Sequence, residues 1–347
     1  MRVGVVIIST IRFGRLGNRL LLLSHLIAYG CATGREVLDL GFWEYGQYFA
    51  ATAPQSYWVM FPPHQRPWHG LPWPRLQRRI NKELRRWLSH GSFIPRNWQI
   101  IPGYAPDVVL EDVVAPQAQV VLVRGWYVRS RNIGPYAPVV RQFFTPLPVY
   151  QRNIQQLITP LKDQYDVLVG VHIRLGDYRE WRNGVYIYPL ETWRALMAKM
   201  VDLLAFQRVG FLICSDEDLR PQAHHFQGLP VYYGTGHIIE DLYSLAACDY
   251  LLATPSTYSG WAAFYGQVPI YFLPVKDQVP QAIAHLTLSQ LALPTEPYRT
   301  GSGGGNQGHA DDVSTASQVT GTSPPTCGQT ISDGVCAKKQ PNGDKKD

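Results

Sequence analysis

The segment VGVHIRLGDYREW, residues 169–181, runs from an apolar stretch into His172, Arg174 and Asp177, with Glu180 just beyond. Burying such groups unpaired is costly, so an apolar strand that ends in them is expected to deliver them to a ligand. Arg174 offers a planar fork of donors and stays charged at every accessible pH, which suits a phosphate; the competing role is an ion pair with Asp177. A second stretch, TPSTYSGWAAFYG at 254–266, sets Ser256, Thr257 and Ser259 around a helix start. Hydroxyls and unpaired amides favour an anion there, although an ordinary helix cap accounts for Ser259 alone. A third, IRFGRLGN at 11–18, places Gly14, Gly17 and Asn18 between an expected strand and helix. Such a loop either lets a ligand approach backbone amides or simply turns tightly and packs.

These groups need elements to position them. RVGVVIIST, RLLLLSHLIAYGCATG and REVLDL read as strand, helix and strand, the start of an α/β domain. From residue 149 the chain alternates regularly. DVLVGVHI, RVGFLICS, YLLATP and VPIYFL read as strands, and PLETWRALMAKMVDLLA, HIIEDLYSLAACD and YSGWAAFYGQ as the helices between them. Continuous apolar strands alternating with helices imply a parallel sheet covered on both faces. Ligands of open sheets bind beyond the carboxyl ends of the strands, which is where residues 172–177, 215–218 and 254–259 fall. The fold class expected is therefore α/β, with two Rossmann-like domains. Prolines at 135, 138, 146 and 148 mark the crossing, giving domains at 1–148 and 149–300.

Two regions interrupt this plan. FPPHQRPWHGLPWP, from Phe61 to Pro74, is too rich in proline for a regular element. The next stretch, RLQRRINKELRRWL at 75–88, has the period of a basic amphipathic helix, with Leu76, Ile80, Leu84, Trp87 and Leu88 on one face. The helix can pack its apolar face on the core and solvate its charges, lie on an anionic membrane, or grip an acidic acceptor. After Thr300 the chain has no aromatic residue and no leucine, so residues 301–347 are expected to form a disordered, non-catalytic tail.

Composition bounds the rest. The 347 residues are 46% hydrophobic and 17% charged, enough for two ordinary cores and too polar for a membrane bundle. Net charge is +6, and the tail's four lysines and five aspartates leave +7 for residues 1–300, which favours anionic partners. The five cysteines form no CxxC pair, which argues against a zinc site or disulfide framework and for a reducing cytoplasm, where the membrane alternative for the basic helix would place it at the inner surface. MRVGVVIIST has too short a charged region and no small-residue cleavage site for a secretory signal, so it is expected to be a core strand. No recognised nucleic-acid motif accompanies the basic residues, so no nucleic-acid partner is expected.

GVHIRLGDY resembles the HxRRGDY signature of α-1,2-fucosyltransferases, and FLICSDE resembles the FSDD segment that follows it. EDLYSLAACDYLLATPSTYSGWAAF is similar to their third block, and GRLGNRLLLLSHLIAYG to their GGLGNQMFQYA start. The four blocks keep the family's order across residues 11–270. The resemblance implies a GT-B glycosyltransferase fold whose second domain holds GDP-fucose while the first helps bind a glycan acceptor. It also implies that His172 and Asp241 meet the guanine, Arg174 the β-phosphate, and Ser256 and Thr257 the diphosphate. Such enzymes invert the anomeric centre without a metal, so Arg174 would stabilise the departing GDP. Asp216, Glu217 and Asp218 form an Asp-x-Asp that in another class of sugar transferases holds a divalent cation; acidic clusters are also common at helix starts.

Two features depart from the family pattern. Leu175 replaces a second arginine, removing a donor from the phosphate or fucose site, and STYSGWAAF lacks paired tryptophans. The general base is expected to be a carboxylate in the closed cleft, Asp177 or Glu180, with Glu180 better placed to reach across it. The alternatives are a transferase of another nucleotide sugar, or a non-catalytic module that binds a nucleotide or glycan.

Overall fold

A computed structural model describes residues 6–55, 58–63, 74–90, 95, 97–102 and 108–297. The expected tail and most of the proline-rich excursion lie outside the described residues, which all belong to one compact unit.

The first sheet is built from β1 (Val6–Ser9), β2 (Glu36–Asp39), β3 (Val59–Phe61), β4 (Trp98–Ile101) and β6 (Val120–Val123), in the order β3-β2-β1-β6-β4; a separate parallel pair comprises β5 (Val108–Val109) and β7 (Val128–Arg129). Only β3 runs antiparallel to its neighbour in the first sheet. The second sheet contains β8 (Val167–Ile173), β9 (Val209–Ser215), β10 (Val231–Tyr233), β11 (Tyr250–Ala253) and β12 (Ile270–Phe272), in the order β10-β9-β8-β11-β12, parallel throughout. In each sheet the first strand lies at the centre and the later strands depart to either side of it. This is the Rossmann-like arrangement expected from the alternating pattern, and it opens a crevice beside the central strand's carboxyl end.

The helices are α1 (Leu16–Thr33), α2 (Trp43–Gly46), α3 (Pro74–His90), α4 (Leu110–Val113), α5 (Ala137–Phe143), α6 (Pro148–Gln164), α7 (Leu190–Leu203), α8 (Ile238–Leu245), α9 (Thr257–Gly266) and α10 (Val279–Ala284). Two of the four prolines read as a crossing stand at helix starts: Pro138 is the second residue of α5 and Pro148 the first of α6. Proline costs least there, because the first-turn amides have no intrahelical acceptor. The 17-residue α6, absent from the sequence expectation, tolerates Pro160 in its interior.

Every residue of β8 is buried, which accounts for its unbroken apolar run. α1 is buried from Leu16 to Gly30 except at Asn18, because it packs against α9 and α5 as well as against its own sheet. One apolar core, including Ile7, Leu26, Phe49, Phe144, Tyr243 and Trp261, therefore continues from the first half of the chain into the second. A second core fills the other face of the β8 sheet around Trp193 and Phe211.

α3 behaves differently from the single-face expectation. Leu88 is buried with Ile8, Leu40 and Leu122, and Leu84 packs against the same cluster. Leu76, Ile80 and Trp87 are 36%, 40% and 46% exposed. The apolar arc is wider than the surface the sheet offers, so only one flank of it is covered.

Candidate functional site

A cleft of about 550 Å³ opens at the carboxyl ends of β8, β9 and β11 and is closed opposite by the loop between β1 and α1. Its lining includes Gly14, Gly17, Asn18, His172, Arg174, Asp177, Asp241, Ser256 and Thr257, residues gathered from both halves of the chain.

The glycine loop is shaped by contacts that only glycine permits at two positions. Gly14 has φ +69°, and a Cβ there would overlap the Asn18 side chain. A Cβ on Gly17 would lie 2.6 Å from the Tyr258 amide nitrogen, so this glycine lets the start of α1 meet the start of α9. Thr257 Oγ1 donates to Asn18 Oδ1 at 2.7 Å across the same junction. Buried Arg19 fixes the loop from behind by donating to the carbonyls of Phe13 at 3.0 Å, Gly14 at 3.3 Å and Gly41 at 2.6 Å. Burial lowers the Arg19 pKa, with nearby Glu44 opposing the shift.

On the facing wall, Arg174 donates from Nε and Nη2 to Asp177 Oδ1 at 3.1 and 2.7 Å, and its Nε lies 3.9 Å from Asp216 Oδ2. Its guanidinium also sits 5.2 Å over the Tyr178 ring. Arg174 thus lines the cleft and pairs with Asp177 at once. Arg15, from the opposite wall, reaches to 3.9 Å of the same carboxylate oxygen.

His172 is buried, its ring 5.0 Å from that of Tyr258, and its Nδ1 has no hydrogen-bond partner. Desolvation, with Arg174 adding repulsion, pushes its pKa down to about 3, so the imidazole is neutral at physiological pH. Desolvation raises the pKa of Asp241, while hydrogen bonds from the backbone of Gly236 and Thr235 pull the other way. The cleft therefore presents a neutral ring and a buried carboxylate near a guanidinium and the N-terminus of α9, whose first-turn amides have no intrahelical acceptor.

Two expected site residues are not part of the lining. Glu180 is exposed and outside the cleft, because the chain after Leu175 winds into two short 3-10 turns, Gly176–Arg179 and Trp181–Gly184, with Arg182 and Asn183 at φ +49° and +57°. These turns carry Glu180 away instead of across. Ser259 is fully buried, its hydroxyl donating to the Thr254 carbonyl at 3.1 Å. The helix cap expected of it belongs to Ser256, whose side chain accepts from the Ser259 amide at 3.2 Å.

The acidic cluster disperses to separate partners. Asp216 Oδ1 accepts from the Leu175 amide at 2.8 Å, Glu217 pairs with Arg179, and Asp218 pairs with Arg220. Among the described residues, no group of three or more His, Cys, Asp or Glu could hold a metal, and Cys214 and Cys248 are free thiols. Leu175 packs against the second core and does not line the cleft.

The sequence reading missed Arg15, Phe13, Trp126 and Tyr127, all on the first-sheet wall. Phe13 is 54% exposed, and its ring lies 5.1 Å from Trp126, which in turn stands 4.8 Å from Tyr127. The signal was present, since Trp126 and Tyr127 lie just past the end of β6, the position that identified Arg174 after β8.

No family model matches the chain, and no curated protein matches it. Solved structures similar to it include an Arabidopsis thaliana FUT1 mutant in complex with GDP, with TM-score 0.48 and 14% identity over 80% of this chain and 71% of that one. POFUT1 in complex with GDP-fucose gives TM-score 0.47 and 11% identity over 79% and 98% of the two chains. Fucosyltransferase NodZ from Bradyrhizobium gives TM-score 0.44 and 15% identity over 78% and 95%.

Proposed function

We propose that this protein is an inverting, metal-independent glycosyltransferase that moves fucose from GDP-fucose to a hydroxyl of a glycan acceptor. The observation that carries the reading is the convergence of Arg174, neutral His172, Asp241 and the start of α9 in one cleft at the switch point of a parallel sheet. A nucleoside diphosphate needs an anion site and a base site side by side, and this wall offers both.

In the proposed reaction the acceptor hydroxyl oxygen attacks the anomeric carbon from the face opposite the diphosphate. The bond from that carbon to the β-phosphate oxygen breaks, and its electron pair leaves with GDP. Arg174 turns from Asp177 to the β-phosphate and offsets the charge that develops there. Asp177, released from that pair and lining the cleft, takes the proton of the hydroxyl; Glu180 stands outside. Buried His172 and Asp241 hold the guanine edge, and the start of α9 holds the diphosphate. Exposed Phe13 with Trp126 and Tyr127 gives the acceptor an apolar surface suited to the faces of sugar rings.

Calorimetric titration with GDP, UDP, ADP and CDP in EDTA tests the donor. Selective GDP binding is expected; preference for another nucleotide, or a requirement for divalent cation, overturns the assignment. A second reading, a nucleotide-binding module without turnover, is favoured by Leu175 packing into the core in place of a second arginine. Release of fucose from GDP-fucose distinguishes the two, since a binding module releases none.

A further inference from the structure

We propose that α3 is a docking helix for an anionic lipid surface, seating Leu76, Ile80 and Trp87 among the headgroups while Arg79, Lys82 and Arg86 meet the phosphates. The helix is fixed to the protein by its other flank: Leu88 is buried in the first-sheet cluster, and Asn81 Nδ2 donates to the Leu40 carbonyl at 3.3 Å. Residues 76, 80 and 87 recur at intervals of four and seven, which brings their side chains within about 40° of one line along the helix. All three are exposed, although burying a side chain of that size contributes roughly 1.5–3 kcal/mol in a core.

Charge selects the occupant. The helix holds six Lys or Arg residues against one acid, Glu83. Arg78 sets its guanidinium 5.5 Å over the Trp43 ring, and Arg85 is partly buried, its pKa lowered by desolvation. Arg79, Lys82 and Arg86 are exposed along one side of the apolar line. An apolar stripe flanked by cations fits the headgroup region of a bilayer containing acidic lipid better than a protein groove, which would have to supply an acid for each cation. Among the described residues no helix is long and apolar enough to cross a membrane, so the contact proposed is a peripheral one.

The test is co-sedimentation of the full chain with vesicles of phosphatidylcholine, with and without phosphatidylserine, alongside GDP titration as a check that each variant folds. Wild type is expected to bind only the serine-containing vesicles, and less as salt rises. Arg79→Ala and Arg86→Ala should each weaken binding about fivefold. Ile80→Ser with Trp87→Ser should weaken it by about tenfold or more. Glu83→Gln, which removes the one repelled charge, should strengthen it. In wild type, brominated lipid should quench a tryptophan signal that Trp87→Phe lacks. Absence of vesicle binding, equal binding to neutral vesicles, or binding that survives the double serine substitution overturns the proposal. GDP binding is unaffected by any of these outcomes, so the docking surface and the nucleotide site fail or stand separately.

Discussion

On the second-sheet side of the cleft the functional groups stand at strand ends and constrain one another: Asp177 holds Arg174, and burial holds His172 neutral. On the first-sheet side the wall is a loop whose carbonyls are tied down by Arg19 and whose outer surface is aromatic. One wall is organised by charge, the other by backbone shape and apolar area. Under the proposed function the difference divides the substrates between the walls: a diphosphate needs fixed charge and donors, whereas a sugar acceptor suits ring faces.

Arg174→Ala offers the sharpest break. Loss of the charge facing the leaving group should lower GDP-fucose turnover about 10²–10³-fold, measured at saturating acceptor, with thermal stability little changed. Turnover within a few-fold of wild type would remove charge from the account of that wall.

On the other wall, Arg19→Ala should cost about 3 kcal/mol in urea unfolding, since it strips the donor from three carbonyls at a buried site. Gly17→Ala should cost about 1–3 kcal/mol and also weaken GDP binding, because its Cβ would force α1 from α9. A destabilised protein with unchanged GDP affinity would show that the glycine loop is scaffold alone.

Phe13→Ala or Tyr127→Ala should raise the acceptor KM about tenfold, in line with losing one ring contact, and leave donor hydrolysis unchanged. If donor hydrolysis fell as well, the two walls would not divide the substrates between them.

The comparison also carries a pH dependence. The His172 pKa falls from 6.5 to about 3 on folding, so the unfolded chain binds the extra proton between those values. Its contribution to stability is complete above the unfolded pKa and is lost as pH falls from about 6.5 towards 3. The slope of urea midpoint against pH in that window should be shallower in His172→Asn than in wild type.

The strand-end principle located the charged wall because period and polarity are properties of consecutive residues. HxRxGDY follows an apolar run, and its expected place beyond β8 is where the cleft lies. The same principle, applied to β6, reaches Trp126 and Tyr127. Aromatic residues after a strand read equally well as core, so residue type alone does not single them out. Glu180 and Ser259 mislead for a different reason: the two 3-10 turns and the cap at Ser256 decide where side chains point within a loop, and loop direction has no periodic signature.

The amino-acid sequence by itself determined the alternation of strands and helices, the parallel second sheet, and the presence of Arg174, His172 and Asp177 at a strand end. These follow from local periodicity and from the cost of burying charge. Tertiary structure alone decided that Gly17 would meet Tyr258, that Asn18 would join Thr257, and that Phe13 and Trp126 would face His172 across the cleft. It also decided that α3 would cover Leu88 and leave Trp87 exposed. The helical period marks an apolar arc, but the width of the sheet it packs on sets how much of that arc is buried, and that width is fixed by residues distant in the chain.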